Sequence, residues 1–97
     1  MRVKFTRLAA SEAREARAYY EQKQEELGAR FSSELRSALA RIKRLPMAWP
    51  ECEPNVRRTL LNRFPYHLHY TIEDDAVVVL GIYHARRAPI AWRERRK

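Results

Sequence analysis

The chain of 97 residues sets 20 Lys and Arg against 12 Asp and Glu, a formal charge of +8, with 45% hydrophobic residues, 2 Gly and 5 Pro; such a composition excludes a disordered chain and leaves no room for a second independent module. A lone cysteine, Cys52, excludes an intrachain disulfide and a thiolate zinc cluster, and without a long apolar window or a leader-like N-terminus the expected compartment is the reducing cytoplasm. The excess of positive charge favours polyanions or acidic protein surfaces as partners.

Arg2 to Thr6 alternate polar and apolar residues, which predicts a short strand with Val3 and Phe5 on one face. From about Ala9 to Glu26 there is no Gly or Pro, and Ala9, Ala13, Ala16 and Tyr20 recur at helical spacing, with Thr6 or Ser11 available as the cap. Leu27-Gly28 interrupts this helix, and Gly28 is expected in the left-handed conformation that follows a helix end. A second helix to about Arg44 carries Phe31, Leu35, Ala38, Leu39, Ile42 and Leu45 in one stripe, while Arg30, Glu34, Arg41 and Lys43 fall largely off it. Two antiparallel helices joined by a tight turn follow.

Pro46, Pro50 and Pro54 predict a loop through PMAWPECEP, anchored by Trp49. After Asn55 the period changes to two: Tyr66, Leu68, Tyr70 and Ile72 alternate with His67, His69, Thr71 and Glu73, and Asp74-Asp75 turns the chain into a strand from Ala76 to Tyr83. The predicted class is therefore α+β, in the order β-α-α-β-β-β, a small, mostly antiparallel sheet covered on one face by a helical hairpin and followed by a basic tail, with residues 1–97 as one domain. A two-residue turn pairs Glu73 with Ala76. It places Tyr66, Leu68, Tyr70 and Ile72 with Val77, Val79 and Tyr83 under the helices, and His67 and His69 with Leu80, Ile82 and His84 on the other face. A single bulge would carry His84 to the helix side.

The segments AYYEQKQEELGARF, ALARIKRLPMAWP, VRRTLLNRFPYHLHYTIEDDAVVVLGIYH and RRAPIAW, in that order, span almost the whole chain. Together the sequence resembles the RelE/ParE superfamily of toxins from type II toxin–antitoxin modules, with the closer match to the ParE-like, plasmid-stabilisation branch. The resemblance implies a toxin held in a hetero-oligomer by a co-expressed antitoxin that wraps around it, and no cofactor. ParE-like members poison DNA gyrase, whereas RelE-like members cut mRNA in the ribosomal A site.

Carried over residue by residue, the RelE-like equipment is incomplete. Arg58 stands at a basic position, Leu60 where lysine is found, His67 at an arginine position, Arg87 at the C-terminal arginine, and Trp92 in the neighbourhood of a tyrosine. A cation and a titratable hydroxyl are missing together, which weighs against an enzyme. The reading is a ParE-like toxin acting on gyrase through protein contacts. Its alternatives are a ribosome-dependent mRNA interferase, which would be a metal-independent endoribonuclease using Arg58, His67, His84 and Arg87, or a non-toxic member that only binds its antitoxin. Candidate contacts to target or antitoxin are Arg57, Arg58, Arg63, Arg86, Arg87, Trp92, Arg93, Arg95 and Arg96. His67 and His69 have no third ligand fixed near them by the sequence, so no metal is expected.

Overall fold

The computed structural model describes residues 1–86. They fold in the order β1 (Arg2–Phe5), α1 (Arg7–Lys23), α2 (Leu27–Arg44), β2 (Glu51–Glu53), β3 (Val56–Leu60), β4 (Tyr66–Glu73) and β5 (Ala76–His84). The strands form one sheet in the order β1-β5-β4-β3-β2, antiparallel throughout except where β1 runs parallel to β5. The predicted α+β class and the helical hairpin on one sheet face are both present.

Thr6 caps α1, its hydroxyl accepting the Ala9 N–H at 3.1 Å. The helix ends at Lys23 because Gln24 turns to extended backbone, and Glu26 then takes the left-handed conformation at φ 72°. The expectation for Gly28 is therefore corrected: the left-handed residue is Glu26, and Gly28 lies inside α2. What Gly28 supplies is room. A Cβ there would stand 2.8 Å from the Arg17 carbonyl oxygen and 2.8 Å from a Glu21 carboxylate oxygen. That carboxylate accepts the Gly28 N–H at 2.9 Å and the Glu26 N–H at 3.3 Å, so a side chain of α1 occupies donors at the start of α2 that no helical turn can satisfy.

The core lies between the helices and the sheet, with Ala9 and Ala16 from α1, Phe31, Leu35, Ala38 and Ile42 from α2, and Leu68, Tyr70, Val77, Val79 and Ile82 from β4 and β5. The apolar stripe of α2 stops before Leu45, which is 63% exposed as the residue that ends the helix. Arg41, Lys43 and Arg44 fill the last turn, where positive charge complements the helix dipole.

The proline segment departs from the prediction of an unstructured loop, because Glu51–Glu53 forms an edge strand paired to β3. Pro50 and Pro54 flank that strand rather than interrupt it, so no ladder donor is missing, and Asn55 at φ 66° closes the turn into β3. Trp49 packs against the core as expected. The preceding loop is fastened by two side chains of the sheet. Tyr70 donates its hydroxyl to the Pro46 carbonyl at 2.6 Å, and Arg57 donates to the carbonyls of Met47 and Trp49.

Glu73 pairs with Ala76 as predicted, with Asp74 at φ 53° in the turn. Further along, His69 pairs with Gly81 but Tyr70 with Val79, which leaves Leu80 as the extra residue of a β-bulge. The bulge exchanges the faces of everything after it. Ile82 enters the helix-side core, His84 comes opposite Tyr66, and Tyr83 joins Val56 and Leu80 on the far face. This corrects the predicted placements of Ile82 and Tyr83, and His84 lies on the helix side, where a bulge was expected to carry it. The bulge sits where β5 loses β1 as a neighbour: Thr6 N–H reaches the Val79 carbonyl at 3.0 Å, and the Ile82 N–H is taken at 3.0 Å by the carboxylate of Glu12 on α1.

Candidate binding surface

On the sheet face away from the helices, cross-strand pairing sets Arg58 beside His69, Leu60 beside His67, and His67 beside Tyr83. His69 is 2% exposed, and its ring stacks on Tyr83 with centroids 5.5 Å apart and planes 11° apart; the His67 ring lies 6.0 Å from it, edge-on. Val56 and Leu80 are buried beside Tyr83, whereas Leu60 is exposed. Burial, and then the charge of Arg58, lower the pKa of His67 from its ordinary 6.5. Its Nδ1 is buried with no hydrogen-bond partner among the described residues. At neutral pH this imidazole is uncharged.

That environment has a measurable consequence. Because the folded chain takes up the His67 proton less readily than the unfolded chain, stability is intact above about pH 6.5 and declines as pH falls below it. The melting temperature is expected to drop on going from pH 7 to about pH 5, and His67→Gln should remove part of that drop. An unchanged pH profile in the variant would contradict the assignment.

His84 stands apart from this cluster. Its ring is 5.4 Å from that of Tyr66, its Nδ1 accepts the Arg86 N–H at 3.1 Å, and it lines a groove of about 450 Å³ with Glu12, Glu15, Tyr19 and Tyr20 of α1. The sheet thus separates His84 from Arg58 and His67, three of the four residues of the nuclease alternative; the fourth, Arg87, lies outside the described residues. Among the candidate contacts, Arg57 has its guanidinium engaged with the Met47 and Trp49 carbonyls and, at 3.9 Å, with Glu51. Arg63 occupies the β3–β4 turn at φ 70°, and Arg86 is exposed just beyond β5. Trp92, Arg93, Arg95 and Arg96, like Arg87, lie outside the described residues. Among the described residues no three His, Cys, Asp or Glu side chains converge as metal ligands would.

A second cleft, of about 670 Å³, was not foreseen in the sequence. It opens between the helix junction and the β3–β4 turn, with Tyr20, Leu27, Phe64 and Pro65 as apolar lining and Arg30, Ser33, Glu34 and Arg63 around them. Among the described residues neither Arg30 nor Arg63 forms an ion pair. The available signal was Arg63-Phe64-Pro65, a cation next to two apolar residues in a turn; its partners come from residues more than one element away.

The family profile described as "ParE toxin of type II toxin-antitoxin system, parDE" matches residues 3–89. Among solved structures, the chain is similar to "Chromosomal ParDE TA system from P. aeruginosa", with a TM-score of 0.62 and 20% identity over 87% of this chain and 95% of that one. This likeness is one of fold. No curated protein matches the sequence. Among the described residues no helix is long and apolar enough to cross a membrane.

Proposed function

Because this chain belongs to the ParE toxin family of type II toxin–antitoxin systems, we propose that it inhibits growth by poisoning DNA gyrase in the cytoplasm, as a single domain that a cognate antitoxin neutralises. The observation that carries a binding rather than a cutting mechanism is the separation of His84 from Arg58 and His67 by the sheet. Metal-independent RNA cleavage needs a base, a proton donor and cations around one phosphate. Here the candidate groups stand on two sides of the sheet, and the Nδ1 of His84 is already bonded to the Arg86 amide.

Contact asks for less. A chain of charge +8 is steered toward acidic protein surfaces, which raises association rates before any specific contact forms. In this reading Arg58, Arg63, Arg86, Arg87, Trp92, Arg93, Arg95 and Arg96 supply the surface for target or antitoxin, while Arg57 holds the proline loop.

The test uses the purified chain in two reactions. Added to gyrase, ATP and supercoiled DNA, it is expected to accumulate protein-linked double-strand breaks; added to a translating extract, it should leave mRNA intact. His67→Ala and His84→Ala should keep gyrase poisoning within about twofold of the parent, since neither acts as acid or base. Cuts positioned on codons would replace this reading with the mRNA interferase. Inactivity in both reactions, with antitoxin binding retained, would identify a member that only binds.

A further inference from the structure

We propose that the turn after α2 is a contact this chain makes with its target: Leu45 and Met47, flanked by the cations of the last helical turn, seat on an acidic protein surface that holds an apolar pocket. Leu45 is 63% exposed and Met47 66%, the highest values among the large hydrophobic side chains of the described residues. Leu45 also continues the stripe of α2, yet it stands in water while Phe31, Leu35, Ala38 and Ile42 are buried. Two large apolar side chains shown to solvent within three residues, beside arginines, have the composition of an interface centre, where Met and Arg are enriched.

Their support is rigid. The Leu45 N–H is bonded to the Arg41 carbonyl at 3.1 Å and the Ala48 N–H to the Leu45 carbonyl at 3.0 Å, which closes a turn with Pro46 in its second position. Tyr70, itself 0% exposed, donates to the Pro46 carbonyl at 2.6 Å, and Arg57 donates to the carbonyls of Met47 and Trp49. Core and sheet thus hold the turn by its backbone and leave Leu45 and Met47 displayed. A surface fixed in advance has less ordering to undergo on binding.

The flank specifies the charge. Arg41, Lys43 and Arg44 supply the cations, and among the described residues none of them forms an ion pair. Arg41 stands one helical turn from both Arg44 and Leu45, so guanidiniums and an apolar side chain share one side of the helix. The helix dipole accounts for cations here but not for the leucine and methionine beside them. A nucleic-acid duplex would neutralise the cations and leave both apolar side chains wet. A lipid surface asks for a broad apolar face, and that of α2 is already packed on the sheet. Carboxylates around an apolar pocket match both features, since each guanidinium can bind a carboxylate through two N–H donors. With 18 residues in α2, the turn lies about 27 Å from the helix junction, so substitutions here leave the cleft beside Arg30 and Arg63 untouched. The inference rests on the gyrase reading in naming the protein that offers this surface.

The test measures binding of the purified full chain to gyrase, alone and on DNA, together with the protein-linked breaks formed in supercoiled DNA with ATP. Leu45→Ser and Met47→Ser combined are expected to weaken binding and reduce the breaks by at least about tenfold. Both residues lie outside the core, so the melting temperature should stay within about 2 °C of the parent. Arg44→Gln should weaken binding by about fivefold. Arg14→Gln, the same change of net charge at an exposed site on α1, should leave it within about twofold. Equal losses from the two arginine variants would reduce the surface to general steering and overturn the proposal. So would a serine variant that loses a direct affinity of the parent for a DNA duplex or for anionic phospholipid vesicles. A parent chain that neither binds nor poisons gyrase removes the target assignment and this contact together. A parent that poisons gyrase, matched by the serine variant, removes this contact alone.

Discussion

Truncating Phe31 to alanine is expected to destabilise the folded chain by about 3–5 kcal/mol, the usual cost of removing a fully buried aromatic ring. Phe31 is 0% exposed, stacks on Tyr20 at 5.6 Å, and meets Phe64 and Tyr66 edge-on at 5.2 and 5.3 Å. Its ring joins α1, α2 and the start of β4, so no single neighbour can move in to close the space. With total stabilities of about 5–15 kcal/mol for chains of this kind, such a variant is close to unfolding at growth temperature. Urea denaturation measures the effect directly. Phe31→Leu should keep more than half of the lost stability, and a cost below about 1 kcal/mol for the alanine variant would mean that the aromatic cluster repacks.

Gly28→Ala is the second large effect, and its sign is informative. Inside a helix, alanine ordinarily stabilises relative to glycine by about 0.5–1 kcal/mol. Here the new Cβ would meet the Arg17 carbonyl oxygen and the Glu21 carboxylate at 2.8 Å. The carboxylate can swing away, but only by giving up the Gly28 and Glu26 N–H groups it accepts. The carbonyl belongs to the backbone of α1 and moves only if the helices part. A net loss of about 1–3 kcal/mol is expected, with the midpoint of urea denaturation as the readout. An alanine variant more stable than the parent would show that the hairpin opens without cost.

These two residues also mark what the sequence discloses. The stripe containing Phe31 repeats with the helical period over four turns, and a period is legible because it is a property of the chain itself. Gly28 was equally visible but its reason was not, because a glycine needed for close approach and one needed for positive φ look the same in a sequence. The turn was given instead to Glu26, a residue with no special tolerance for it, since the packing of α1 on α2 decides the geometry. AVVVLGIY is apolar on both faces, so no alternation decides for or against the bulge at Leu80 that moves Ile82, Tyr83 and His84 to the faces opposite those of an unbulged pairing. A three-residue edge strand such as β2 holds barely one repeat of the two-residue period, too few to announce it. The second cleft was illegible for a further reason: Tyr20, Arg30 and Arg63 share nothing but tertiary proximity.

Glu12 also bears on how copies of the chain behave toward one another. β1 pairs with Ala76–Val79 alone, and beyond it the Ile82 N–H is met by a carboxylate instead of a strand. A sheet margin closed by a side chain is electrically unattractive to another strand, which would have to displace a negative charge to gain the donor. The same bond that ties α1 to β5 thereby also guards this stretch of the sheet margin against strand addition.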